Sequence, residues 1–229
     1  MLEQNNPGAI PLFADLTADD LAAVAALLRQ GSFPAGTTMI AAEHPGQEVY
    51  FVVEGTVKVT VDQSDGSSLI LAMLGPGAIV GEMGVIRRAH RSATVTTLEP
   101  TTVLWMYRED FERCLHAYPD IGVKLASTLA QRLRLANERL LSFVTEDVDQ
   151  RIARMLLSFA IEHGRRQPNG AVHIPIRLTQ TDLAEYVGAA RISVNRALAT
   201  LRDDEKLITV DRRYQFTILD LAALERRCR

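Results

Sequence analysis

The sequence predicts an α+β chain: an N-terminal β-roll of the jelly-roll kind, one long helix, and a C-terminal winged helix-turn-helix. Three observations carry that prediction. Between Ser32 and Tyr107, short alternating or β-branched runs (EVYFVV, TVKVTV, SLILAML, SATVTTL, TTVLWMY) are separated by the turn signals EG, SDG, GPG and EP. That is the pattern of about eight short strands closing a small antiparallel barrel. From Pro119 to about Thr145, apolar residues recur at helical spacing without a break. Beyond Asp147, the run LTQTDLAEYVGAARISVNRALATLRDDEKLI sets a helix, a glycine turn and a second helix in direct succession.

Composition bounds what such a chain can do. Its 229 residues are 47% hydrophobic and 23% charged, enough to bury one large core or two smaller ones, with the length favouring two domains, and nothing in the composition suggests disorder. No apolar run reaches the roughly 18 residues that span a bilayer, and Met1-Leu-Glu-Gln-Asn-Asn lacks a basic region followed by an apolar one. A cytoplasmic protein without membrane partners is therefore expected. Cys114 and Cys228 lie far apart, so one chain builds neither a disulfide framework nor a four-cysteine metal site, and no metal is expected. The net charge of −3 hides an asymmetry. Residues 1–145 hold 11 Lys and Arg against 16 Asp and Glu, whereas residues 146–229 hold 14 against 12. The bias toward a basic C-terminal part is small, so motifs must decide its meaning.

Taken in order, PLFADLTADDLAAVAALLRQG reads as a helix with Thr17 as N-cap and Gly31 as its stop. After the strands, REDFERCLHAY forms a short helix. Along the long helix, Leu125, Leu129, Leu133, Ala136, Leu140 and Phe143 follow at steps of four, four, three, four and three, close to a coiled-coil seam. Because this helix leads into a new domain, the seam predicts a two-fold homodimer, the alternative being a helix packed on its own barrel. DVDQRIARMLLSFAIEHG starts a further helix at Asp147. In the motif that follows, Thr179 is the N-cap, Leu183 and Val187 face a core, and Gly188 permits the turn. A second helix from about Ala190 carries Val194, Leu198 and Leu201 inward. LITVDRRYQFTI adds two strands around a basic turn, the wing. The expected domains are 1–117, 118–146 and 147–229.

In a helix-turn-helix the second helix enters the major groove, and residues near its N-terminus reach base edges. Arg191 and Arg196 fall there, and an arginine can fork two hydrogen bonds to guanine. Arg212 and Arg213 in the wing turn are candidates for the phosphate backbone. Enzyme chemistry has no comparable support, since the five histidines are scattered and neither a G-x-S-x-G nor a Walker motif is present.

The N-terminal PLFADL, the strand-embedded VGEMG and RSATV, the long helix and the C-terminal DLAEYVGAARISVNRAL together resemble the cyclic-AMP receptor protein and Fnr family of bacterial transcription factors. The resemblance covers almost the whole chain in the right order. It implies an allosteric cyclic-nucleotide pocket built from Gly81, Glu82, Met83, Arg91, Ser92 and Ala93, completed by Ala136 and Asn137 of the long helix. Chemistry supports those roles. A carboxylate such as Glu82 can accept from a ribose hydroxyl, Arg91 can pair with the cyclic phosphate, Ser92 can donate to it, and Gly81 lets backbone approach closely. A short helix is expected after Glu82, and Arg87, Arg88 and His90 read as a solvated basic loop.

The resemblance further implies Thr179, Gln180, Arg191, Ile192, Ser193, Asn195, Arg196, Arg212 and Arg213 as DNA-binding residues. It implies a pseudo-palindromic double-stranded site, a homodimer, and RNA polymerase as a partner. Two positions depart from the family pattern. Ala136 and Asn137 stand where cyclic-AMP-responsive members have two hydroxyl residues, and Asn137 can meet either adenine or guanine. Cyclic AMP is the expected effector, with cyclic GMP or another small effector as the alternative, and a heme or redox sensor on the same scaffold as the rival. Ile192 stands where close relatives have a glutamate that accepts from cytosine; isoleucine can at most touch a thymine methyl.

Overall fold

The computed structural model describes residues 7–228. The first helix, α1 (Ala18–Ala25), begins at Thr17, whose hydroxyl accepts from the Asp20 amide at 3.3 Å. It ends well short of Gly31, which lies inside strand β1 (Arg29–Phe33) opposite Val103. A Cβ at Gly31 would meet nothing closer than 3.5 Å, so this glycine is neither a stop nor a steric necessity. Strands β2 (Thr38–Ile40), β3 (Glu48–Glu54), β4 (Val57–Asp62), β5 (Ser68–Leu74), β6 (Ile79–Val80), β7 (Thr94–Thr97) and β8 (Thr101–Tyr107) follow. They form two four-stranded sheets, ordered β1-β8-β3-β6 and β2-β7-β4-β5.

The period-two pattern of β3 divides the apolar residues between two cores. Val49 and Phe51 point into a cluster with Ile10, Phe13, Phe111 and Ile121. Val52 points the other way, to Ile40, Val57, Val80 and Val95, a smaller core to which both sheets contribute.

Helix α3 (Arg108–Ala117) leads to α4 (Pro119–Thr145), the expected long helix. The expected seam along α4 needs correction. Leu125 is 4% exposed and, with Leu129 packed beside it, belongs to the core of its own β-roll. Phe143 is also taken within the chain, stacked by Arg139 and Arg151. Two successive steps of four turn the line about 80° around a helix of 3.6 residues per turn, so Leu125 and Leu133 lie on different faces. An exposed line, apolar except at Asn137, runs instead through Val123, Ala126, Ala130, Leu133, Asn137, Leu140 and Val144, at alternating steps of three and four.

Helix α5 (Val148–His163) opens with a capping box: Asp147 Oδ1 accepts from the Gln150 amide at 2.8 Å, and Gln150 Oε1 accepts from the Asp147 amide at 3.1 Å. Its buried face carries Ile152, Leu156 and Phe159. Two strands hidden in the punctuated stretch after α5, β9 (Arg165–Arg166) and β10 (Val172–Ile174), join β11 (Ile208–Val210) and β12 (Phe216–Ile218) in the order β11-β12-β10-β9. The wing is thus part of a four-stranded sheet. Between β10 and β11 lie α6 (Gln180–Val187) and α7 (Arg191–Ala199), and α8 (Leu221–Arg227) follows the sheet. The chain forms two compact units. The first comprises the described residues through Asp62 and Leu71–Arg134, and the second Gln63–Ile70 and the described residues from Leu135 onward, so α4 contributes to both.

Candidate functional sites

In the first unit, β6 ends at Gly81, which adopts φ 85°, and the short helix α2 (Glu82–Ile86) begins there. A Cβ at Gly81 would lie 2.5 Å from Arg91 Nη1 and 3.1 Å from the Glu48 carbonyl. The backbone conformation and the arginine packed against it both require glycine. Arg91 is 5% exposed. Its Nη1 donates to the Gly81 carbonyl at 2.8 Å, and Nη2 donates to the Glu48 carbonyl at 2.7 Å and to Glu48 Oε2 at 3.3 Å. Three of the five guanidinium donors are thereby committed among the described residues, leaving Nε–H and one Nη1–H for an anion. Burial pushes the Arg91 pKa down, and Glu48 is the first of the groups that pull it back.

Glu82 is 3% exposed, and its Oε1 accepts from Nη1 of Arg132 at 2.9 Å. Arg132 also donates through Nη2 to the Ile79 carbonyl at 2.7 Å, so α4 grips this loop at two points. Burial raises the Glu82 pKa above the ordinary carboxylate value, with Arg132 and then Arg91 opposing. A raised folded-state pKa means that the fold favours the protonated acid. Stability from this group is present below the unfolded value and is lost as pH rises through the folded one. Glu82→Gln, uncharged at every pH, is expected to flatten that loss, measured as thermal midpoints from about pH 4 to pH 7. Equal slopes for wild type and variant would show that Glu82 does not titrate in that range.

Gly81, Glu82 and Arg91 are thus brought together. Met83 is exposed on α2, Ser92 is exposed directly after Arg91, and Ala93 is half-buried. Ala136 and Asn137 are exposed on α4 and fall in the second unit. Of the extra basic residues, Arg88 is paired with Glu112 at 3.0 Å, while Arg87 and His90 are exposed. Sequence reading missed Glu48 and Arg132. An acid at a strand end and an arginine on a polar helix face carry no local signal; only the fold brings them to Arg91 and Glu82.

In the second unit, Thr179 caps α6 reciprocally with Asp182: its hydroxyl donates to Asp182 Oδ2 at 2.5 Å and accepts from the Asp182 amide at 3.1 Å. In this arrangement the Thr179 hydroxyl proton serves the cap. Gly188, at φ 62° and ψ 49°, ends α6 and turns the chain into α7. Val194, Ala197 and Leu198 are buried, while Arg191, Ile192, Asn195 and Arg196 are exposed on the opposite face and Ser193 is half-buried. Gln180 is exposed at the start of α6. Arg212 and Arg213 project from the wing turn, which Asp211 Oδ1 closes by accepting from the amides of Arg213 and Gln215 at 2.8 and 2.9 Å.

Two further arrangements in this unit escaped sequence reading. The Arg177 guanidinium lies 5.4 Å from the Tyr214 ring, exposed beside the wing. Arg139 lies 4.0 Å from the Tyr186 ring and donates to the Tyr186 carbonyl, while a Cβ at Gly188 would meet the Phe143 ring at 3.3 Å. The end of α4 is therefore fastened to the helix-turn-helix by a cation–π contact and a hydrogen bond. Burial lowers the Arg139 pKa and raises that of Tyr186.

A buried arginine and carboxylate beside a glycine turn stand in one chain with an arginine-bearing helix-turn-helix, which defines a class: a DNA-binding regulator with a separate ligand-binding type of β-roll. Comparison with known proteins agrees. Residues 30–118 match the cyclic nucleotide-binding domain, and residues 150–227 match the Crp-like helix-turn-helix domain. A CRP-like cAMP-activated global transcriptional regulator of Mycobacterium tuberculosis is 32% identical over 188 residues, covering 82% of this chain and 84% of that one. The cAMP-activated global transcriptional regulator CRP of Salmonella typhimurium is 30% identical over 181 residues, 77% of this chain and 83% of that one. A crystal structure of a CRP-family transcriptional regulator from Thermus thermophilus shares 26% identity, covers 86% of this chain and 96% of its own, and superposes with a TM-score of 0.71. The chain belongs to the CRP/FNR family of DNA-binding transcription regulators, with a cyclic nucleotide-binding domain.

Proposed function

We propose that the protein is a cytoplasmic homodimer that binds cyclic AMP in its β-roll and, in response, binds a pseudo-palindromic DNA site and acts on RNA polymerase. In functional terms, residues 1–117 hold the effector domain, 118–146 the dimerisation helix and 147–229 the DNA reader. The observation that carries the reading is the pair of Arg91 donors, Nε–H and one Nη1–H, uncommitted among the described residues and held beside Gly81 and Glu82. A cyclic phosphate there gains charge-assisted hydrogen bonds, and the ribose hydroxyl finds an acceptor in Glu82. Ser92, Ala93 and Met83 line the approach, and Asn137 meets the base.

Coupling to DNA follows from α4. Arg132 holds Glu82, and Arg139, one heptad later on the same helix face, holds Tyr186. An effector that alters the Glu82–Arg132 pairing biases the helix that carries the reader, and by linkage DNA must alter effector affinity equally. Calorimetry with cyclic AMP and cyclic GMP side by side tests the effector. Tighter cyclic GMP binding would replace cyclic AMP with the alternative that Asn137 also accommodates, and a Soret band in the absorbance spectrum would replace both with a heme sensor.

For DNA, half-site centres are expected one helical turn apart, about 10–10.5 base pairs. Arg191→Ala and Arg196→Ala should each cost about 1–3 kcal/mol and relax selectivity at one position per half-site. Arg212→Ala or Arg213→Ala should weaken all sequences alike and reduce the salt slope by about one. Selection from randomised half-sites separates these outcomes; uniform loss for both α7 variants would reassign Arg191 and Arg196 to phosphate contacts. Gln180, Ser193 and Asn195 border the same surface.

A further inference from the structure

Arg91 is held in place twice over. Its Nη1 and Nη2 donate to the carbonyls of Gly81 and Glu48 at 2.8 and 2.7 Å, and these two bonds fix the plane of the guanidinium. The Glu48 carboxylate adds only a longer contact, Oε2 to Nη2 at 3.3 Å. For positioning it is redundant; electrically it is not. It sets a full negative charge against the one group offered to a phosphate, on a side chain 30% exposed beside an arginine side chain 5% exposed. Among the described residues Arg91 is the only cation paired with Glu48, whereas Glu82 has Arg132 at 2.9 Å. Glu48, Glu82, Arg91 and Arg132 therefore carry no net charge together before an effector arrives. We infer that Glu48 is a specificity-determining residue, a built-in anion that shares Arg91 with the effector and so favours a singly charged cyclic phosphate over the doubly charged phosphate of an open nucleoside 5′-monophosphate, an inference that rests on the proposed binding of a cyclic nucleotide at Arg91.

The discrimination is electrostatic. A cyclic phosphate is a diester with a single negative charge, whereas a terminal phosphate monoester carries about 1.5 to 2 at neutral pH. Repulsion from a fixed carboxylate grows in proportion to the charge of the ligand, so Glu48 opposes the monoester up to about twice as strongly as the diester. A lone arginine does the reverse, since it attracts the more highly charged anion better. Base and ribose 2′-hydroxyl are the same in both ligands, so groups that read them do not make this distinction.

The test uses the full-length protein at neutral pH. Glu48→Gln keeps the shape and an acceptor oxygen and removes the charge; Glu48→Ala removes all three. Both retain the backbone carbonyl that Arg91 grips, and calorimetric stoichiometry reports the folded fraction of each. Calorimetry with cyclic AMP and cyclic GMP, and displacement of the tighter of the two by AMP, compares the variants with wild type. Both variants are expected to bind the cyclic nucleotide about tenfold more tightly, the effect of one partly exposed charge at contact range. AMP should gain about 30- to 100-fold, so the preference for the cyclic form falls about three- to tenfold. Unchanged or weaker cyclic-nucleotide binding in both variants would make the carboxylate a brace for Arg91 and overturn the role of Glu48 alone. Equal gains for cyclic AMP and AMP, or no displacement by AMP from any of the three proteins, would overturn the selectivity in the same way. Failure of wild type and both variants to bind either cyclic nucleotide overturns the effector assignment and the role of Glu48 with it.

Discussion

Arg91→Ala is expected to weaken cyclic-nucleotide binding by about 10- to 150-fold, the loss of a charge-assisted contact worth roughly 1.5–3 kcal/mol. The same change should lower the thermal midpoint of the effector-free protein. Arg91 is buried and holds the carbonyls of Gly81 and Glu48, so its removal leaves two carbonyl oxygens without their donor. Each such orphan costs about 1–3 kcal/mol. Arg91→Lys separates the two effects. A lysine keeps the positive charge for the phosphate, but its compact ammonium cannot reproduce the planar fork that spans two carbonyls. It should therefore recover part of the affinity and little of the stability. Calorimetry and thermal unfolding on the three proteins read both quantities. A lowered midpoint in Arg91→Ala with affinity unchanged would make Arg91 a structural brace and leave the phosphate without a partner.

Leu133→Glu and Leu140→Glu are each expected to give monomers by sedimentation and to abolish high-affinity binding to a two-half-site operator. Both leucines lie on the exposed stripe of α4, at 63% and 64% exposure, so the substitutions leave the core of the single chain untouched. Across a two-fold axis every contact occurs twice, so one substitution brings two carboxylates into a desolvated seam without cations to pair them. Leu125 offers the contrast. Its side chain is part of the β-roll core, and a charge there would unfold the roll rather than split a dimer. A dimer that survives at both Leu133 and Leu140 would place the seam on another surface.

Much of the architecture was legible because it is written in local pattern. The strand runs between Ser32 and Tyr107, the helix from Pro119 to Thr145, the Thr179 cap and the Gly188 turn each depend on a few consecutive residues whose backbone preferences agree. Gly31 was misread because a glycine signals a break only where its conformation demands one, and in β1 it is an ordinary strand residue. Strands β9 and β10 went unseen because two or three residues hold too little pattern to stand out from a polar loop; their pairing to β12 creates them.

The candidate sites divide along the same line. By itself the sequence determined the order of elements and the presence of Gly81, Glu82 and Arg91 on one side and Arg191, Ile192 and Arg196 on the other, since these stand in contiguous motifs. Only the tertiary structure decided what each touches. It gave Glu48 to Arg91, Arg132 to Glu82 and Tyr186 to Arg139. It also turned Leu125 and Leu129 inward while leaving Leu133 and Leu140 outside. The reason is physical. A helix of 3.6 residues per turn offers several apolar lines at nearly equal spacing, and which of them is buried depends on the surface the chain lays against it, a surface assembled from residues far away in sequence.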